Sequence, residues 1–298
     1  MTSNSSEHEP GAREPLPADA LPVEALPVTP SEVQPMPVQA VRFCRTCGIP
    51  WDPDWITCPK CAQQRPLVEK VAEARVALAA DQCRIRSAMT LYFMLLGVSV
   101  VTIIVLLVSG QTEVGVPGEL VEGIAMALIT TGWCFGSFGD IAPLLRRLPR
   151  PWWLLPAGAG AAVVTFLIAG SAVALLQRLV HVQTIDYLKA YHTGGYGFGV
   201  AVLMICVQPA IFEELAFRGV ILSALEPVIG NGEALLVSAM MFAILHLAIP
   251  SIPHLFIMGV ALAWLKQRSG SLYPGMVLHF SHNFLVLLTE QHRSLSPW

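Results

Sequence analysis

The sequence predicts an all-α fold: a polytopic bundle of about seven transmembrane helices, preceded by a disordered tail and a small zinc ribbon. Of the 298 residues, 54% are hydrophobic and only 13% are charged, against roughly 25% charged in a soluble domain. Charge-free stretches recur at bilayer length, and Ala88–Ser109 alone has 22 residues without a formal charge, enough to cross a hydrocarbon core of about 30 Å. Four cysteines, paired by spacing, sit in the polar N-terminal part instead of in these stretches.

Residues 1–40 are rich in Pro, Glu, Ala and Ser. Prolines at that density block helix and sheet, and the apolar content is too low for a core, so a disordered tail is expected. Its polar character argues against a secretory signal peptide. Residues 41–66 form a cysteine module, in which Cys44 and Cys47, then Cys58 and Cys61, make two C-x2-C pairs ten residues apart. Each pair lets two thiolates reach one Zn²⁺ at about 2.3 Å, and two pairs complete a tetrahedron. Structural zinc is the reading, with Trp51 and Trp55 as cover. Two disulfides or a redox pair are the other readings, disfavoured in a reducing cytosol. The module is expected to serve as a docking head for a protein partner or as a regulatory element. Cys83, Cys134 and Cys206 lie near or within apolar segments and read as small hydrophobes.

Residues 67–87 have helical spacing with mixed charges, the pattern of a linker helix leading into the membrane. Residues 88–192 hold three spans, at 88–109, 120–138 and within 151–177. Residues 193–290 hold four more, at 195–225, 234–249, 254–265 and 272–289, and 291–298 is a tail. A loop at 226–233, with Pro227 and a Gly-Asn-Gly turn, separates the fourth span from the fifth. With the N-terminus in the cytosol, the inner loops collect Arg84, Arg86, Arg146, Arg147, Arg150, Lys266 and Arg268, against Arg178, Lys189 and Arg293 outside. The positive-inside rule favours that orientation and a multi-pass cell-membrane protein. The apolar runs make the lipid bilayer the expected surroundings, and a net charge of −3 gives no sign of a nucleic-acid partner.

Ionisable residues inside an apolar segment are costly and have a task. The twenty residues 193–212 carry no charge, and Glu213 and Glu214 then follow, with Arg218 four positions after the second. Glu214 and Arg218 have the spacing of a helical ion pair. Adjacent helical residues point about 100° apart, so Glu213 lies on another face and is the candidate for chemistry. His246 falls one turn after Phe242, and Asn283 one turn after His279. Three helices thus offer a Glu, a His and a His/Asn pair. These can activate a water and hold an oxyanion, or bind a catalytic divalent metal through two histidines and a carboxylate. His181, His192, His254, His282 and His292 read as structural or loop residues. Pro209 is expected to kink the fourth span, and the Gly-rich run near Gly195 to serve close helix packing.

At these residues the chain resembles the type II CAAX prenyl proteases and the bacteriocin-processing and immunity proteins related to them, the CPBP or Abi family. The first motif, E-E-x-x-x-R, is matched by Glu213, Glu214 and Arg218. The second, F-x-x-x-H, is matched by Phe242 and His246, and the third, H-x-x-x-N, by His279 and Asn283. The resemblance implies an intramembrane endopeptidase acting on a membrane-associated or lipidated peptide or protein. Glu213 would activate the water with His246, and His279 and Asn283 would support the oxyanion. Glu214, Arg218 and Phe242 would support the site. Both metal-assisted and metal-free glutamate mechanisms stay open. The alternative on the same scaffold is a non-catalytic immunity or partner-binding membrane protein. A transporter would show an inverted repeat, and the sequence has none.

Overall fold

The computed structural model describes residues 42–44, 46–52, 55, 57–62, 67–110, 115–180 and 186–295. The tail at 1–40, His181, the first polar loop at 111–114 and the final residues 296–298 lie outside them. The chain divides into two compact units, Met1–Leu67 and Val68–Trp298.

In the first unit, the strands Arg42–Phe43 and Pro50–Trp51 pair antiparallel, Arg42 opposite Trp51 and Phe43 opposite Pro50. The hairpin closes around the first cysteine pair. The second pair follows in a turn of the same build.

The second unit is a bundle of helices, the all-α class expected. Leu67–Ser109 is one unbroken helix, so the linker and first span are continuous. Val116–Gly136 turns by 101° into the short helix Phe138–Arg146, where a loop was expected. Leu154–Val180 and Tyr187–Thr193 come next. Phe198–Ile229 then runs for 32 residues, here called the glutamate helix. Asn231–Leu245, Ile252–Ser269 and Tyr273–Leu295 complete the bundle.

The expected count of about seven spans is corrected. Among the described residues, four helices are long and apolar enough to cross a membrane, or five if the bent pair is one span. Asn231–Leu245 has only 15 residues, and at 1.5 Å per residue that is about 22 Å, short of a hydrocarbon core. Tyr273–Leu295 is long enough, but its polar side chains make it too hydrophilic to cross on its own. A charge-free stretch in sequence does not distinguish a crossing helix from one held at depth by its neighbours.

Two boundaries also differ. Pro227 lies inside the glutamate helix, which ends at Ile229, and the loop shrinks to Gly230 at φ +86°. A side chain at that φ would be strained, so glycine permits a one-residue reversal into the next helix. The Gly-rich run near Gly195 is a helix boundary instead of a packing face. Gly195 takes φ +79°, Gly197 caps the glutamate helix, and a Cβ on Gly197 or Gly199 would meet nothing within 4 Å.

The bundle closes through small residues elsewhere. A Cβ on Gly158 would come within 2.6 Å of the Pro274 carbonyl, and one on Gly259 within 2.9 Å of the Ala239 backbone. These glycines let the helices approach closely, as small residues do in membrane bundles. Phe217 and Phe242 meet edge to face at 5.3 Å, with Tyr92 of the first long helix 6.4 Å from Phe217. All three are buried, and this aromatic core forms one wall of the site.

Candidate active site

The glutamate helix is not uniform. It widens into π-helical turns at Val202–Val207 and again at Leu215–Ile221, with the ordinary turn Gln208–Glu214 between them. Such turns often accompany functional positions. Here they bracket both glutamates.

Glu214 and Arg218 pair as the spacing predicts, with Nη1 donating to Oε1 at 3.1 Å and both side chains at most 1% exposed. The pair reaches further than the helix. Arg218 Nη2 donates to the Gly259 carbonyl at 3.2 Å, and His279 Nδ1 lies 3.1 Å from the same Glu214 Oε1. An ionised carboxylate only accepts, so Nδ1 donates, and in the neutral ring Nε2 is the free nitrogen. Glu213 Oε2 stands 3.9 Å from that Nε2, on a side chain 18% exposed. That oxygen meets no hydrogen-bond donor among the described residues. The two glutamates, expected on separate faces with separate tasks, thus address opposite nitrogens of one buried imidazole.

Phe242 is the hub of this arrangement. Its ring lies 4.5 Å from the Arg218 guanidinium carbon, 4.9 Å from the His246 ring and 5.9 Å from the His279 ring. A cation over an aromatic face is attracted by the ring quadrupole, more strongly where water is excluded. The Phe242 carbonyl also accepts from His246 Nδ1 at 2.9 Å, which leaves Nε2 as the free nitrogen on that ring too. His246 lies where Asn231–Leu245 ends, before Leu247 at φ +51°. It is exposed, although it was expected to point into the bundle.

Asn283 donates Nδ2 to the Ile205 carbonyl of the glutamate helix at 2.7 Å. His282 is buried and shares a 2.9 Å hydrogen bond with Thr165, a packing contact to the Leu154–Val180 helix. His254 buries its Nδ1 with no partner among the described residues. A Cβ on Gly275 would stand 2.9 Å from Glu214 Oε2, so the first turn of the last helix needs glycine to pass the carboxylate. Nothing in the sequence motifs pointed to Gly259 or Gly275 as neighbours of the ion pair. Gly275→Ala is expected to push Glu214 off His279 Nδ1 and to lower the unfolding midpoint of the protein in detergent. A wild-type midpoint in that variant would show that the carboxylate has room to move.

Among the described residues, the one group of three or more His, Cys, Asp or Glu close enough to hold a metal ion is Cys44, Cys47, Cys58 and Cys61, whose sulfurs lie within 4.8 Å of one another. Glu213, His246 and His279 do not converge in this way. The cysteine sulfurs pair at 3.5 Å, Cys44 with Cys61 and Cys47 with Cys58, and none is in a disulfide. Tetrahedral Zn–S bonds of about 2.3 Å would space sulfurs by about 3.8 Å, so the donor set fits a zinc-sized ion. Both knuckles are built alike. Gly48 donates to the Cys44 carbonyl at 2.8 Å with φ +69°, and Ala62 to the Cys58 carbonyl at 2.9 Å with φ +56°. Burial pushes the Cys44 thiol up, but the backbone amides of Cys47 and Thr46 and the sulfurs of Cys61 and Cys47 pull it further down, to about 6. A thiol lowered in this way supplies the thiolate a metal requires.

Apolar helices enclosing a carboxylate–imidazole–guanidinium network define a multi-pass membrane protein with an ionisable site in its interior. Residues 196–285 match the family described as type II CAAX prenyl endopeptidase Rce1-like, a family of proteases. The match covers under a third of the 298 residues, yet it contains all three motifs and every side chain of the network just described. No curated protein and no solved structure matches the chain.

Proposed function

We propose that the protein is an intramembrane endopeptidase of the CAAX type, with Glu213 as the base that activates water. The observation that carries this is the division of labour between the glutamates. Glu214 is neutralised by Arg218 and braces His279, whereas Glu213 has no Lys or Arg partner among the described residues and lies beside the free nitrogen of the same ring. In the reaction, Glu213 takes a proton from water as the oxygen attacks the scissile carbonyl carbon, and His246 assists from the helix end. The second N–H of Asn283, and His279 in the form that carries a proton on both ring nitrogens, stabilise the oxyanion. The C–N bond then breaks, and the proton held by Glu213 passes to the leaving amine.

The substrate class follows the family match: a membrane-associated or lipidated peptide or protein. Arg84 and Arg86, ahead of the apolar part of the first span, support a cell-membrane location with the N-terminus in the cytosol. The test is hydrolysis of an internally quenched farnesylated CAAX peptide by the purified protein in detergent. Failure to cleave this or any peptide lost from membranes that contain the protein would leave the non-catalytic, partner-binding reading.

For the head, structural zinc is the reading the four thiols support. The full-length protein is expected to carry one equivalent of zinc by elemental analysis, and the Cys44→Ser/Cys58→Ser variant none, with peptidase activity retained. A second equivalent that survives in this variant and disappears with His246→Ala would place a metal at Glu213, His246 and His279.

A further inference from the structure

Asn283 is held by a backbone carbonyl that an unbroken α-helix would have used up. In the glutamate helix, the ordinary donor to the Ile205 carbonyl is the N–H of residue 209, which is Pro209. Proline has no N–H, and its ring crowds the carbonyl four residues earlier. The helix accommodates this by widening at Val202–Val207, so that the Gln208 N–H reaches back to Leu203. Pro209 itself is buried. The Ile205 carbonyl receives its side-chain donor from the last helix instead, Asn283 Nδ2 at 2.7 Å.

This contact orients the amide. A carbonyl oxygen only accepts, so Nδ2 must face the glutamate helix and Oδ1 must turn away. One N–H is spent on Ile205 and the other remains for chemistry, on a residue one turn after His279. We propose that Pro209 is a positioning residue for Asn283. By withholding the helical donor from Ile205, it supplies the acceptor that fixes the Asn283 amide at the site. A proline that merely bent the helix would leave Asn283 indifferent to its replacement. The kinetic consequence rests on the endopeptidase reading, and the structural link does not.

The test uses the full-length protein in detergent with ¹⁵N-labelled asparagine side chains. The sequence holds three asparagines, Asn4, Asn231 and Asn283, and loss of one NH₂ pair in Asn283→Ala assigns the signal. In Pro209→Ala, and in Pro209→Val as an independent replacement that restores the N–H, the Asn283 pair is expected to move toward the shift of a free amide. Turnover of the quenched farnesylated peptide is expected to fall about tenfold to a hundredfold at unchanged KM. Pro209→Ala/Asn283→Ala should fall no further than Asn283→Ala alone, because coupled residues do not add. An unmoved Asn283 resonance in folded Pro209 variants would overturn the proposal, as would losses that multiply in the double variant. If the wild-type protein cleaves no peptide, the endopeptidase reading fails while the resonance still judges the link.

Discussion

Glu213→Gln is expected to abolish peptide hydrolysis while the protein still inserts and folds. The amide keeps the size and hydrogen bonding of the side chain but cannot take a proton from water. Loss of a general base typically lowers rate by about 10²–10⁴-fold, and more where water activation depends on it entirely. The structure makes the substitution mild for the fold, because among the described residues Glu213 has no ion-pair partner closer than His279 at 3.9 Å. The measurements are turnover of the quenched peptide and the unfolding midpoint in detergent. A comparison of membrane peptides between wild type and Glu213→Gln would also reveal natural substrates as cleavages that vanish. Full activity in Glu213→Gln would remove Glu213 from the reaction.

Glu214→Gln and Arg218→Met are expected to have the opposite profile, with a large loss of stability. Both side chains are buried, and each would strand the other's charge. Breaking a buried pair in this way destabilises by about 3–5 kcal/mol. Arg218 would also leave the Gly259 carbonyl, and Glu214 would leave His279 Nδ1. The double change should destabilise by less than the sum of the singles, since neither charge is then left alone. Thermal unfolding in detergent checks this, and wild-type midpoints in the singles would mean that the pair does not hold the bundle together.

The helical class was legible because it follows from composition and from the length of charge-free runs. The Glu214–Arg218 pair was legible because it is a local consequence of helical spacing. The cysteine knuckles were legible for the same reason, as each lies within a few residues of chain. The rest depends on contacts distant in sequence. That Phe242 stands between Arg218 and two imidazoles depends on three helices meeting, and a lone Phe in an apolar run carries no mark of it. That Glu213 and Glu214 share His279 depends on side-chain reach from a helix whose winding changes on both sides of them, whereas spacing at 100° per residue assigned them to separate faces. The bend at Ser137 starts a short helix that composition does not mark, and Pro227 sits within the glutamate helix without breaking it, so that the reversal needs only Gly230.

The last helix, Tyr273–Leu295, has a consequence for how the protein is made. It is long enough to cross a bilayer but not apolar enough to qualify as a span on its own. The same side chains responsible, His279, His282 and Asn283 among them, find their partners only on helices synthesised earlier. Its entry into the membrane therefore depends on a partly assembled bundle that can satisfy those groups. Until it docks, Glu214 lacks its imidazole and the Ile205 carbonyl lacks its amide. In the proposed reading, the hydrolytic site is complete only once this helix has docked against the glutamate helix.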